Sequence, residues 1–108
     1  MRSALARGQV RLCRFPRPDK ERPVVILTRE SAIGYLANVT VAPVTSTIRG
    51  VASEVRLTEA DGMKGPCVAN LHNLATVPKV HLGPVVATLG SDKLREFCAA
   101  MGYALGCV

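Results

Sequence analysis

Short β-branched runs, cut apart at close spacing by proline and glycine, constrain this chain more than any other feature. Gln9 to Phe15 alternates, with Val10, Leu12 and Arg14 on one side and Arg11, Cys13 and Phe15 on the other. Pro23 to Thr28 is a continuous β-branched run and suits a buried strand. Pro23 must stand at its start, because proline has no N–H to give a sheet ladder. Val39 to Val44, Ser53 to Leu57, Cys67 to Leu71 and Val85 to Leu89 are further predicted strands. Pro16 to Lys20, Ile48-Arg49-Gly50, and Thr58 to Pro66 with its Asp61-Gly62 and Lys64-Gly65 pairs read as the loops between them. Glu30 to Leu36 has room for one short helical turn, and Asn73 to Lys79 reads as irregular.

Helical period shows clearly near the end of the chain. Ser91 is placed to cap a helix, and Leu94, Phe97, Cys98, Met101 and Leu105 then form one apolar stripe. Gly106 sits where such a helix should stop. Several short strands followed by one helix predict a mostly β fold with some α, a small antiparallel barrel. At 108 residues the chain is expected to be one domain, 1–108, burying roughly two-thirds of its unfolded surface. Trp is absent, so the core has to come from Val, Leu, Ile and Ala.

Charge is unevenly spread. The net charge is +6, and residues 1–22 hold seven basic residues against Asp19 and Glu21, a local +5. That bias suits a polyanion partner such as nucleic acid or an acidic protein, with a plain solvated basic surface as the alternative. The first fifteen residues carry four arginines and no long apolar run, so no secretory leader is expected. Nothing approaches the ~18–20 apolar residues of a membrane span, and a reducing cytoplasm is the expected location. Cys13, Cys67, Cys98 and Cys107 lack zinc-site spacing, and His72 and His81 lie nine apart with no carboxylates arranged around them. No metal and no cofactor are expected. His72 reads as a partly buried or interface residue.

The chemistry concentrates between Glu21 and Thr47. Arg22 precedes one β-branched run, and the hydroxyls of Thr45, Ser46 and Thr47 end the next. Adjacent strands could bring Arg22 and Thr45 onto one surface. A planar, permanently charged guanidinium beside a hydroxyl suits a phosphodiester. Alternatively, Arg22 could be an edge-strand arginine paired with Glu21 or Glu30, and the hydroxyl cluster could simply end a strand.

An ordered set of short motifs goes further. Arg7-Gly-Gln-Val10, Arg22-Pro-Val-Val25, Val41-Ala-Pro-Val-Thr-Ser46 and Gly62-Met63 come first. Val68-Ala-Asn-Leu71, Asn73-Leu74, Thr76-Val-Pro-Lys79 and Leu82-Gly83 follow. In this order they resemble the MazF/PemK family of toxin endoribonucleases across roughly residues 7–104. The resemblance implies an SH3-like, MazF/CcdB-like barrel with a C-terminal helix, usually as a homodimer. It implies metal-independent, sequence-specific cleavage of single-stranded RNA, and silencing by a cognate acidic antitoxin. The family's catalytic arginine falls on Arg22 and its catalytic Thr or Ser on Thr45. Candidate RNA contacts are then Ser46, Thr47, Arg17, Lys20, Arg49, Arg56 and Asn73. Two features depart from the family: the Pro16–Glu21 loop is short, and Ala75 stands where a basic residue is common. A gyrase-binding toxin of the same fold, or an inactive RNA-binding member, are the competing readings. The Gly106-Cys107-Val108 end lacks the tryptophan of the gyrase-binding type.

Metal-free cleavage would use the RNA's own 2′-hydroxyl as nucleophile. The protein must align that hydroxyl with phosphorus and stabilise the growing phosphoryl charge. Arg22 suits the second task but not proton abstraction, since its pKa is ~12.5 or higher. Thr45 would donate to a phosphoryl oxygen or hold the 2′-hydroxyl. Products would be a 2′,3′-cyclic phosphate and a 5′-hydroxyl.

Overall fold

The β-branched runs pair as antiparallel strands. The computed structural model describes residues 4–15 and 21–107. The strands are β1 (Gln9–Arg14), β2 (Glu21–Ile26), β3 (Asn38–Thr45), β4 (Glu54–Leu57), β5 (Cys67–Asn70), β6 (Ala75–Pro78) and β7 (Leu82–Thr88). The helices are α1 (Glu30–Ile33) and α2 (Ser91–Ala104), with 3₁₀ turns at Glu59–Asp61, Leu71–Asn73 and Lys79–His81. The sheet order is β4-β5-β3-β2-β1-β7, with β6 also on β3. The architecture is the expected one, mostly β with a C-terminal helix. The barrel is loose, however: the sheet curls but its path ends at β4 and β7 without closing.

The continuous run in β2 is explained by burial on both faces of the sheet. Val25 packs into one core with Val10, Ala42, Leu57, Ala69 and Phe97. Its neighbours Val24 and Ile26 pack into a second core with Cys13, Ile33, Val39, Val41 and Val77. β2 begins two residues earlier than expected, so Pro23 lies inside it, paired with Leu12.

Long β3 changes partner along one edge. Its start pairs with β6, from Asn38↔Pro78 to Val41↔Ala75, and its end with β5 at Val44↔Ala69 and Thr45↔Val68. The segment expected to be irregular, Asn73–Lys79, therefore contains a true strand. Four residues with a terminal proline carry little local signal, and β6 is specified by burying Val77 against β3.

Strand β1 departs from simple alternation. Val10, Arg11 and Cys13 are all buried, and the β1–β7 register shifts between Val10 and Arg11 and again before Cys13. Bulges of this kind re-aim side chains. Arg11 Nε donates to Gln9 Oε1 at 2.8 Å, and a terminal guanidinium N–H donates to the Gly83 carbonyl at 3.1 Å.

Helix α2 lies over the first core through Phe97 and Ala100, both buried. The expected stripe is rotated: Cys98 and Leu105 are exposed, while Ala100 and Ala104 face inward. Alanine packs close without announcing itself in a hydrophobic pattern. The N-cap is Gly90 rather than Ser91. The end is a Schellman arrangement, with Cys107 N–H donating to Gly102 O at 2.7 Å and Gly106 N–H to Tyr103 O at 3.2 Å. Gly106 takes φ +75°, the left-handed conformation that this turn needs. Lys93 ties α2 to the sheet, donating to Arg56 O at 3.0 Å with Asp61 3.7 Å away. Among the described residues, no helix is long and apolar enough to cross a membrane.

Candidate nucleic-acid interface

Register decides whether Arg22 and Thr45 can act together. β2 and β3 pair as Ile26↔Val41, Val25↔Ala42 and Val24↔Pro43. Two residues past that last pair, Arg22 and Thr45 are the next side chains on the same face of their strands, on neighbouring strands ~5 Å apart. Both are half-buried. Across β3, Thr45 pairs with Val68, which pairs in turn with Arg56 on β4. Thr45, Val68 and Arg56 thus form one row across three strands, with Arg56 exposed at its end, and Arg22 falls where that row would continue into β2.

The Thr45 hydroxyl accepts the Thr47 N–H at 3.2 Å, a local turn that ends the strand. This places Thr45 between two cavities. One, of about 200 Å³, is polar and lined by Thr45, Thr47, Arg49, Glu54, Asn70 and Asn73. The other, a groove of about 550 Å³, is walled by Leu12, Pro23, Met63 and Val86, with Ser46 and Lys64 also along it. Gly62, just before Met63, has φ +98°, and a Cβ there would meet the Ala87 Cβ at 3.0 Å.

Most of the sequence-derived candidates therefore converge. Thr45, Thr47, Arg49 and Asn73 share the polar pocket, and Ser46 lines the groove. Arg22 and Arg56 line neither of these two cavities. Arg17 and Lys20 lie outside the described residues. Glu54 and Asn70 line the same polar pocket although the sequence reading did not single them out; the alternation of buried Val55 and Leu57 is the signal that points Glu54 to the opposite face. Asn70 Oδ1 accepts the His72 N–H at 2.9 Å and so starts the turn that carries Asn73. His72, expected to be a partly buried or interface residue, is exposed within the single chain and meets Tyr103 edge-on at 6.5 Å.

Part of the N-terminal basic charge is structural. Arg11 is buried as described above, and the Arg7 guanidinium donates to Leu27 O and to Cys98 Sγ. The Glu30 carboxylate accepts the Arg7 backbone N–H at 2.8 Å. All four cysteines are free thiols. Burial pushes the Cys13 and Cys67 thiols above their ordinary pKa, with Asp61 adding to the effect at Cys67. Among the described residues, no group of three or more His, Cys, Asp or Glu side chains could hold a metal ion.

Comparison with known proteins places the chain in a family. The family profile described as PemK-like, MazF-like toxin of type II toxin-antitoxin system matches residues 6–105. Endoribonuclease MazF3 of Mycobacterium tuberculosis is 42% identical over 86 residues, 80% of this chain and 84% of the relative. Probable endoribonuclease MazF5 of the same species is 37% identical over 103 residues, 94% of each chain. Among solved structures, M. tuberculosis toxin MazF-mt6 superposes with a TM-score of 0.83 at 37% identity, over 91% of this chain and 96% of its own. A mycobacterial endoribonuclease in complex with its cognate antitoxin gives 0.86 at 25% identity, over 97% and 98%.

Proposed function

Since the chain belongs to the PemK-like, MazF-like toxins of type II toxin-antitoxin systems, we propose that it cleaves single-stranded RNA at the row formed by Arg22 and Thr45. The relatives' endoribonuclease names support the reaction class. The single observation that carries the assignment of residues is the β2–β3 register, which points Arg22 and Thr45 to one face.

In this reading the RNA's 2′-hydroxyl attacks the adjacent phosphorus as the P–O5′ bond breaks; the proton lost from the 2′-oxygen is balanced by one taken up by the 5′-oxygen, leaving a 2′,3′-cyclic phosphate and a 5′-hydroxyl. Arg22 neutralises the charge building on the phosphoryl oxygens, which needs a fixed donor rather than a metal. Thr45 donates to the same oxygens or orients the 2′-hydroxyl. Thr47, Arg49 and Asn73 hold a flanking phosphate or ribose, and the apolar groove beside Thr45 receives a base. The toxin works in the cytoplasm, where RNA and a cognate antitoxin are both at hand. Two copies pair about a two-fold axis and lengthen the RNA path; sedimentation showing only monomer would count against the dimer. The antitoxin's acidic side chains stand in for phosphates near Arg22 and Arg49, while its apolar side chains enter the groove.

Incubation with a long single-stranded RNA in excess EDTA tests this. Cleavage at a restricted set of sites is expected, and saturating cognate antitoxin should suppress it. Binding without cleavage would favour the inactive RNA-binding reading. Neither binding nor cleavage would favour a toxin that acts on a protein.

A further inference from the structure

The polar pocket contains a carboxylate where a phosphate is expected to sit. Left free, Glu54 would repel RNA. Its oxygens are engaged instead: Oε1 accepts the backbone N–H of Arg49 at 3.1 Å and of Gly50 at 2.9 Å, and Oε2 lies 3.3 Å from the Arg49 nitrogen. Hydrogen bonds to a charged acceptor are the strong kind. Gly50 is in the left-handed region, φ +74°, so the loop turns at this point. Glu54 itself is half-buried and stands in β4 opposite Asn70, which starts the turn carrying Asn73. A rigid strand thus grips an exposed loop through one side chain.

Resting on the RNA reading above, we infer that Glu54 is a positioning residue. Its carboxylate is consumed by two loop amides, and the loop in turn holds Arg49 at the pocket to meet a phosphate. Glu54 touches no reacting atom. It acts through Arg49, and its negative charge is offset by the donors it accepts.

The test measures binding of a mixed-sequence 2′-O-methyl RNA, which lacks the attacking hydroxyl, from 50 to 200 mM salt. Arg49→Ala should reduce the slope of log affinity on log salt by ~0.7, the value for one phosphate contact on a single strand. Glu54→Ala should produce the same reduction, and combining it with Arg49→Ala should add nothing. Glu54→Gln should keep most of the wild-type slope, because its amide oxygen can still accept both N–H groups. A wild-type slope in Glu54→Ala, whatever its thermal midpoint, overturns the inference. Stronger RNA binding by both Glu54 variants overturns it too, since the carboxylate would then act by repulsion. Wild-type protein without salt-dependent RNA binding would instead refute the RNA reading. Amide exchange at Arg49 and Gly50 in the RNA-free protein decides the clamp separately. Glu54→Ala should speed it about tenfold or more, the worth of a charge-assisted hydrogen bond; unchanged exchange overturns the clamp.

Discussion

Replacing Arg22 by alanine is expected to lower RNA cleavage by ~100-fold or more, the scale of losing one oxyanion donor. The unfolding midpoint should barely move. Arg22 is half-buried at the entrance of β2, and the cores beneath are closed by Val24, Val25 and Ile26, all fully buried. The loss should therefore appear in the chemical step and not in the amount of folded protein. Arg22→Lys should recover little, because an ammonium cannot make the planar two-point contact with phosphate oxygens. Thr45→Ala should also impair cleavage, by less than Arg22→Ala if it supplies one neutral hydrogen bond. Near-wild-type cleavage in both alanine variants would show that the site lies elsewhere.

The largest expected effect on stability is at Phe97. It is fully buried and joins α2 to the core formed by Val10, Val25, Leu57 and Leu71. Phe97→Ala removes a large side chain from a place where the sheet cannot collapse inward, at a cost of about 3–5 kcal/mol. Domains of this kind hold about 5–15 kcal/mol in total, so this loss takes a large share of the stability and an increased unfolded fraction is expected at 37 °C. Urea unfolding should show a lower midpoint with the same slope. Leu105→Ala is the internal control. Leu105 belongs to the stripe expected from the sequence but is 63% exposed, so its loss should fall within about 0.5 kcal/mol. Equal costs at the two positions would contradict the observed rotation of α2.

These two residues also show what the sequence made legible. Period-2 and β-branched patterns located most of the strands, because a half-buried sheet imposes them directly on the chain. They also put Arg22 and Thr45 on neighbouring strands, which the β2–β3 register supports. What escaped was set by partners distant in sequence. β6 is a strand because β3 offers it an edge. Arg11 is buried because two bulges against β7 re-aim it. α2 turns Ala100 and Ala104 inward because close packing rewards small side chains there. Glu54 was overlooked because a lone carboxylate in a basic chain reads as surface charge until its two amide partners are seen. Part of the N-terminal basic bias likewise proved structural, with Arg7 and Arg11 spent on carbonyls rather than left for RNA.

The central claim is that Arg22 and Thr45 promote attack by the RNA's own 2′-hydroxyl. The most direct test maps one cut site in a single-stranded RNA and then replaces only the nucleotide on its 5′ side with its 2′-deoxy counterpart, in EDTA. A 2′,3′-cyclic phosphate and a 5′-hydroxyl are expected at the cut in the all-RNA strand, with no cleavage there once the 2′-hydroxyl is gone. Persistent cleavage of the 2′-deoxy strand, or a 5′-phosphate product, would mean that water attacks instead, and the account would be wrong.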